Sequence, residues 1–123
     1  MINIHSISVS AVCDTAHPFT TAQGDSLYQK IRESLEKEQP IAISFKGIES
    51  MTATFLFSFI GQLHRDFDPV IGIISGQIIP ARPCDVFIMD TTLEFRRMIA
   101  RVIFDSKNFH KKTREVSEND IYV

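Results

Sequence analysis

Pro40-Ile41-Ala42-Ile43-Ser44-Phe45-Lys46-Gly47-Ile48-Glu49-Ser50-Met51-Thr52-Ala53-Thr54-Phe55 is the stretch on which the fold turns. Its first six residues form a short apolar run closed by Lys46-Gly47, and they read as a strand. Thr52 stands where a helix cap belongs, its hydroxyl placed to accept the N–H of Thr54 or Phe55. From Thr52 to about Arg65 the apolar residues Phe55, Leu56, Phe57, Phe59, Ile60 and Leu63 wrap more than half of a helical circumference. The remaining arc holds Thr54, Ser58, Gly61, Gln62 and Arg65. A helix so patterned packs heavily on a sheet and leaves one thin polar strip to solvent. A strand lying between two helices in sequence points to a central place in that sheet.

Working outward, Leu27, Tyr28, Ile31 and Leu35 share one helical stripe, with Arg32, Glu33, Glu36 and Lys37 outside it. This predicts an amphipathic helix opened by Gly24-Asp25-Ser26, capped by Asp25 or Ser26, and ending near Gln39-Pro40. Before it, Ile2, Ile4, Ile7 and Val9, continued by Ala11-Val12-Cys13, read as a strand or a hairpin of short strands. Asp14-Thr15-Ala16-His17-Pro18 is a turn. After the central helix, Val70-Ile71-Gly72-Ile73-Ile74 reads as a strand, or as one arm of a hairpin with Gln77-Ile78-Ile79. Asp85 to Asp90 is a further strand, and Asp90 or Thr91 is placed to cap the helix that follows. That helix buries Phe95, Met98, Ile99, Val102 and Ile103. Residues from Asp105 onward are polar and read as a tail. The expected fold class is α/β, a small single domain over 1–105 followed by a polar C-terminal segment over 106–123.

Composition narrows the function classes. The chain has 123 residues, 44% hydrophobic and 23% charged, with ten Phe against five Gly and five Pro. That supports a hydrophobic core and excludes disordered, collagen-like and low-complexity chains. No apolar run approaches the roughly 20 residues of a membrane span. Met1 to Ser6 lacks the basic-then-apolar pattern of a secretory signal, so a cytoplasmic protein without a membrane association is expected. The first 95 residues are net acidic. Residues 96–114 carry Arg96, Arg97, Arg101, Lys107, Lys111, Lys112 and Arg114 against Asp105 alone. Such a segment is a candidate nucleic-acid contact, but no interleaved aromatic platform accompanies it, and a solvated helix face is the favoured reading.

Chemistry-bearing motifs are few. Cys13 and Cys84 have neither the spacing nor the neighbouring histidines of a zinc site, and a cysteine nucleophile would need a base that the sequence does not place. His5, His17, His64 and His110 are scattered, which argues against a metal. His64 beside Arg65 suits a cation at a helix carboxyl end, and Asp66 and Asp68 read as a solvated loop before Pro69. There is no glycine-rich phosphate cradle after a strand. No cofactor and no catalytic residue are therefore expected. What remains is the joint from Phe45 to Leu63, where Thr54 sits at the first turn on the exposed strip. A phosphate there would meet the positive end of the helix dipole and unpaired N–H groups.

The same joint resembles the STAS-like family of unknown function, which is related to the STAS domains of anti-sigma factor antagonists. The resemblance is carried by Phe45, Gly47-Ile48, Thr52, Phe55 and Gly61-Gln62-Leu63, with Thr20-Thr21-Ala22-Gln23-Gly24 ahead of the first long helix. It implies a mixed sheet with about three helices mainly on one side. It also implies a non-catalytic regulator that binds a protein partner, in the better-known relatives a kinase-type ATPase. Those relatives are phosphorylated in an aspartate-serine-serine-glycine stretch. By position, Thr52 falls on the aspartate, Ala53 on the phosphorylated serine, Thr54 on the second serine and Phe55 on the glycine. Ala53 accepts no phosphate, and Ser44 replaces the aspartate usual in the strand. Thr54, then Thr52, are the phosphoacceptor candidates. Gly47, Glu49, Thr54, Ser58, Gln62 and Arg65 form the expected partner-binding surface. The alternatives are a nucleic-acid accessory domain using 96–114 and a cysteine-dependent enzyme.

Overall fold

The computed structural model describes residues 4–74 and 85–119, with side chains described up to Phe109. Four strands, β1 (His5–Ser8), β2 (Ile41–Ser44), β3 (Ile71–Ile73) and β4 (Val86–Met89), form one sheet in the order β1-β2-β4-β3. The central stretch of the sequence thus yields an interior strand, as its continuous apolar run requires. Every described pairing is parallel, where the family resemblance implied a mixed sheet. The hairpin arm at Gln77-Ile78-Ile79 lies outside the described residues.

Four helices accompany the sheet: α1 (Val9–Cys13), α2 (Thr21–Glu36), α3 (Ala53–Asp66) and α4 (Leu93–Asn119). The chain steps from β1 through α2 to β2, and from β2 through α3 to β3, in the same direction across the sheet. Right-handed crossovers therefore put α2 and α3 on one face. There α3 packs between α2 and α4. Ile7, Ile41, Ile43, Val86 and Ile88 of the strands meet Leu27, Ile31, Phe55, Leu56, Phe59, Ile60, Ile99 and Val102 of this helical layer in the core.

Several expectations are corrected. Ala11-Val12-Cys13 is helical, because the Ser8 hydroxyl accepts the Ala11 N–H at 3.3 Å and Val9, Val12 and Cys13, spaced for one helical face, pack against the core. The first long helix starts a turn earlier than Gly24, at a reciprocal cap in which Gln23 N–H donates to Thr20 Oγ1 (3.1 Å) and Thr20 N–H to Gln23 Oε1 (3.0 Å). The segment from Asp105, read as a tail, continues α4 to Asn119. The stripe Phe95, Ile99, Val102 simply extends by one more turn to the buried Ser106. Thr92, and neither Asp90 nor Thr91, supplies the hydroxyl at the start of α4, accepting Phe95 N–H at 3.1 Å. Asp90 instead occupies the left-handed region and accepts the Ser44 hydroxyl. His64 is buried in the last turn of α3.

A polar tie closes the far end of the α2–α3 seam. The Tyr28 hydroxyl donates to Asp66, which also pairs with Arg65 Nε at 2.7 Å. Burial and this hydrogen bond push Tyr28 up to about 12, while Arg65 and then Tyr28 hold Asp66 down to about 2. The carboxylate's contribution is present above its ordinary range near pH 4 and is lost as pH falls toward 2. That of the neutral phenol is present below pH 10 and is lost as pH rises through 12. Tyr28→Phe should cost about 1–2 kcal/mol by chemical denaturation at neutral pH. The gap from the unsubstituted protein should narrow at both pH extremes, and a gap independent of pH would show that the tie is not charge-assisted.

Candidate functional site

The loop joining β2 to α3 is built from short-range chemistry. Ile48 N–H donates to Phe45 C=O at 3.1 Å, closing a turn whose third residue, Gly47, has φ +85 and needs glycine's freedom. Ile48 and Met51 are buried and pull the loop inward, while Glu49 and Ser50 face solvent. Both exposed residues are stapled to the turn after α1, for Glu49 N–H (2.8 Å) and Ser50 N–H (3.3 Å) donate to the Ala16 carbonyl. Side chains repeat the attachment: His17 Nδ1 lies 2.7 Å from Ser50 Oγ and its Nε2 3.4 Å from Glu49 Oε2.

Thr52 caps α3 as its position predicts, its Oγ1 accepting Phe55 N–H at 3.2 Å. The same hydroxyl donates to the Phe19 carbonyl at 3.0 Å, so it is engaged twice. Thr54, in the first turn, is exposed, and its hydroxyl has no hydrogen-bond partner among the described residues. The two threonines differ accordingly: modifying Thr52 breaks a cap and a loop contact, whereas Thr54 is open.

The strip that continues from Thr54 does not face open solvent along its whole length. Ser58 is half-buried against α2, where a Cβ placed on Gly24 would come within 1.4 Å of its Oγ. Gln62 reaches the same helix, its Nε2 donating to Asp25 Oδ1 at 2.7 Å. Arg65 is exposed at the far end, paired with Asp66. The strip is therefore the floor of a groove of about 670 Å³, with Thr21 and Asp25 of α2 on one wall and Asp105, Ser106 and Phe109 of α4 on the other. Phe57, counted as core by its apolar character, stands 41% exposed at this groove. Gly61 lies in the floor, and a Cβ there would have nothing within 4 Å. Of the expected surface, Gly47, Glu49 and Thr54 gather at the amino end of α3, and Ser58, Gln62 and Arg65 line the groove beside it. The parts that the sequence did not show, His17, Asp25, Phe57 and the α4 wall, come from elements whose relative position no local pattern encodes.

The comparisons with known proteins bear on the same region. Residues 23–80 match the model of a family described as a STAS-like domain of unknown function. Over this span, just under half of the chain, the protein is similar to that family. The matched span runs from within α2 through β2 and α3 to beyond β3, so it contains the candidate surface except the His17 turn, Thr21 and the α4 wall. Comparison with curated proteins and with solved structures returns no match.

The other candidate residues are less suited to chemistry. Burial pushes the Cys13 thiol up, away from a reactive thiolate, and the thiol sits 3.7 Å from the Gln23 carbonyl. Cys84 lies outside the described residues. In the basic segment Arg97 and Arg101 are exposed on α4, with Arg101 paired to Asp105 at 3.1 Å, while Arg96 is half-buried. No described helix is long and apolar enough to cross a membrane.

Proposed function

We propose that this protein is a STAS-like, non-catalytic regulatory module that binds a protein partner through the amino end of α3 and the groove beside it, with a kinase-type ATPase as the partner class. The observation that carries the reading is Gly61. A glycine inside a helix costs about 1 kcal/mol relative to alanine, and here a Cβ would meet nothing within 4 Å among the described residues. Its smallness serves something that approaches α3 from outside, between the acidic α2 wall and α4. Phe57 and the exposed Arg65 supply an apolar anchor and a charge of the kind that dominates interface energetics. Thr54 is the modification candidate, because a phosphate there changes the face a partner meets while sitting at the favourable end of the helix dipole.

Ser58 is a poor probe, since enlarging it disturbs the packing on Gly24. Gly61→Trp and Arg65→Glu are better ones. Gly61→Trp should leave thermal stability within about 1 kcal/mol of the starting protein, while Arg65→Glu should also cost the pair with Asp66, so its folding is checked separately. Each should weaken binding to the kinase-type ATPase of the same host by about tenfold or more, measured by calorimetry. Intact mass of protein from that host should show one added phosphate that Thr54→Ala removes. Undiminished binding by both groove variants discards this face.

A further inference from the structure

His17, Glu49 and Ser50 stand in an arrangement that neither the groove nor the helix cap uses. The Ser50 hydroxyl is within hydrogen-bond reach of His17 Nδ1 at 2.7 Å. A hydroxyl that donates there requires the imidazole proton on Nε2, and Nε2 is the nitrogen facing Glu49 Oε2 at 3.4 Å. A nucleophile hydrogen-bonded to a base, and a carboxylate within ion-pair distance of that base, thus stand in order, the sequence of groups that activates hydroxyl nucleophiles on unrelated folds. The backbone holds them in register, because Glu49 and Ser50 both donate to the carbonyl of Ala16, the residue before His17. His17 is pinned further by its own N–H, which donates to Thr15 Oγ1 at 3.0 Å. The side chains of His17 and Glu49 are 58% and 74% exposed, so a reagent reaches the cluster without opening the fold.

We propose that Ser50 is a nucleophilic modification site that accepts an acyl or phosphoryl group from an activated donor. In the step, Ser50 Oγ forms a bond to the electrophilic carbon or phosphorus and the donor's leaving group departs with the electron pair of its own bond. The hydroxyl proton passes to His17 Nδ1, and Glu49 holds the imidazolium that results. The amino end of α3, opening three residues later at Ala53, favours the negative charge that develops. This site shares Glu49 with the expected partner-binding surface but needs neither Thr54 nor the groove.

The test is stoichiometric labelling of the full chain with two probes, a fluorophosphonate for the phosphoryl class and p-nitrophenyl acetate for the acyl class. With the first, the new O–P bond replaces P–F and fluoride leaves. The expected result is a single adduct mapped to Ser50 by peptide mass, with the faster probe identifying the donor class, and no adduct in Ser50→Ala. His17→Asn keeps a group that accepts the Ser50 hydrogen bond but takes no proton. It should slow labelling by about 100-fold, which a purely structural histidine would not do. Glu49→Gln should slow it a few-fold, as suits an exposed pair. The proposal is overturned if neither probe modifies Ser50, if the exposed Ser6 or Ser26 reacts as fast, or if His17→Asn labels at the original rate.

Discussion

Gly24→Val lowers the stability of the domain by about 3 kcal/mol, read as a fall of roughly 10 °C in Tm. Gly24 is buried in α2 where that helix crosses α3, and a Cβ there falls 1.4 Å from Ser58 Oγ, 2.7 Å from Ser58 Cβ and 2.8 Å from the Phe55 carbonyl oxygen. Turning the Ser58 hydroxyl away relieves only the first contact and gives up its 2.6 Å hydrogen bond to that same carbonyl. The other two distances require the helices to separate. Valine's better helix propensity offsets only a few tenths of a kcal/mol. Adding Ser58→Gly to Gly24→Val should recover part of the loss but not all, because the Phe55 carbonyl remains in place. Thermal denaturation of the single and double variants checks this. A Gly24→Val protein as stable as the original would mean that α2 and α3 do not approach as described, and the groove would lose one wall.

Phe59→Ala costs about 4 kcal/mol. Phe59 is fully buried in the middle of α3, and its ring lies 5.4 Å from that of Phe55 at 53°. Removing it leaves a cavity that Leu56, Ile60 and the strands cannot close without shifting α3 on the sheet. The pair geometry adds its own share, so Phe55→Ala and Phe59→Ala together should depart from additivity by about 1 kcal/mol. Urea denaturation at constant slope measures both quantities. A loss below 1 kcal/mol would place Phe59 outside the core, and with it the face that holds α3 to the sheet. Because Thr54, Gln62 and Arg65 are carried by the same helix, any shift of α3 should also weaken partner binding.

The interior position of β2 was legible because a continuous apolar run cannot be half-solvated, and Thr52 was legible because a cap is a local bond between neighbours. The polar arc of α3 was legible from its period alone. Where reading failed, two local codes competed. Val9 to Cys13 carries β-branched residues that suit a strand, yet the Ser8 cap and core contacts at helical spacing decide for α1. The capping box Thr20-x-x-Gln23 was present in the letters and was outweighed by the more visible Gly24-Asp25-Ser26. The polar residues after Asp105 masked the continuation of the stripe to the buried Ser106.

By itself, the sequence determined an α/β order of elements, the amphipathic faces of the long helices and the threonine at the start of α3, because each of these rests on interactions within a few residues. Only the tertiary structure decided that Ser58 and Gln62 face α2, that Phe57 stands at the edge of a groove walled by α4, and that His17 meets Glu49 and Ser50 across more than thirty residues of chain. Those relations depend on how crossovers place one element beside another, and side chains brought together by chain reversal leave no periodic trace in the order of residues.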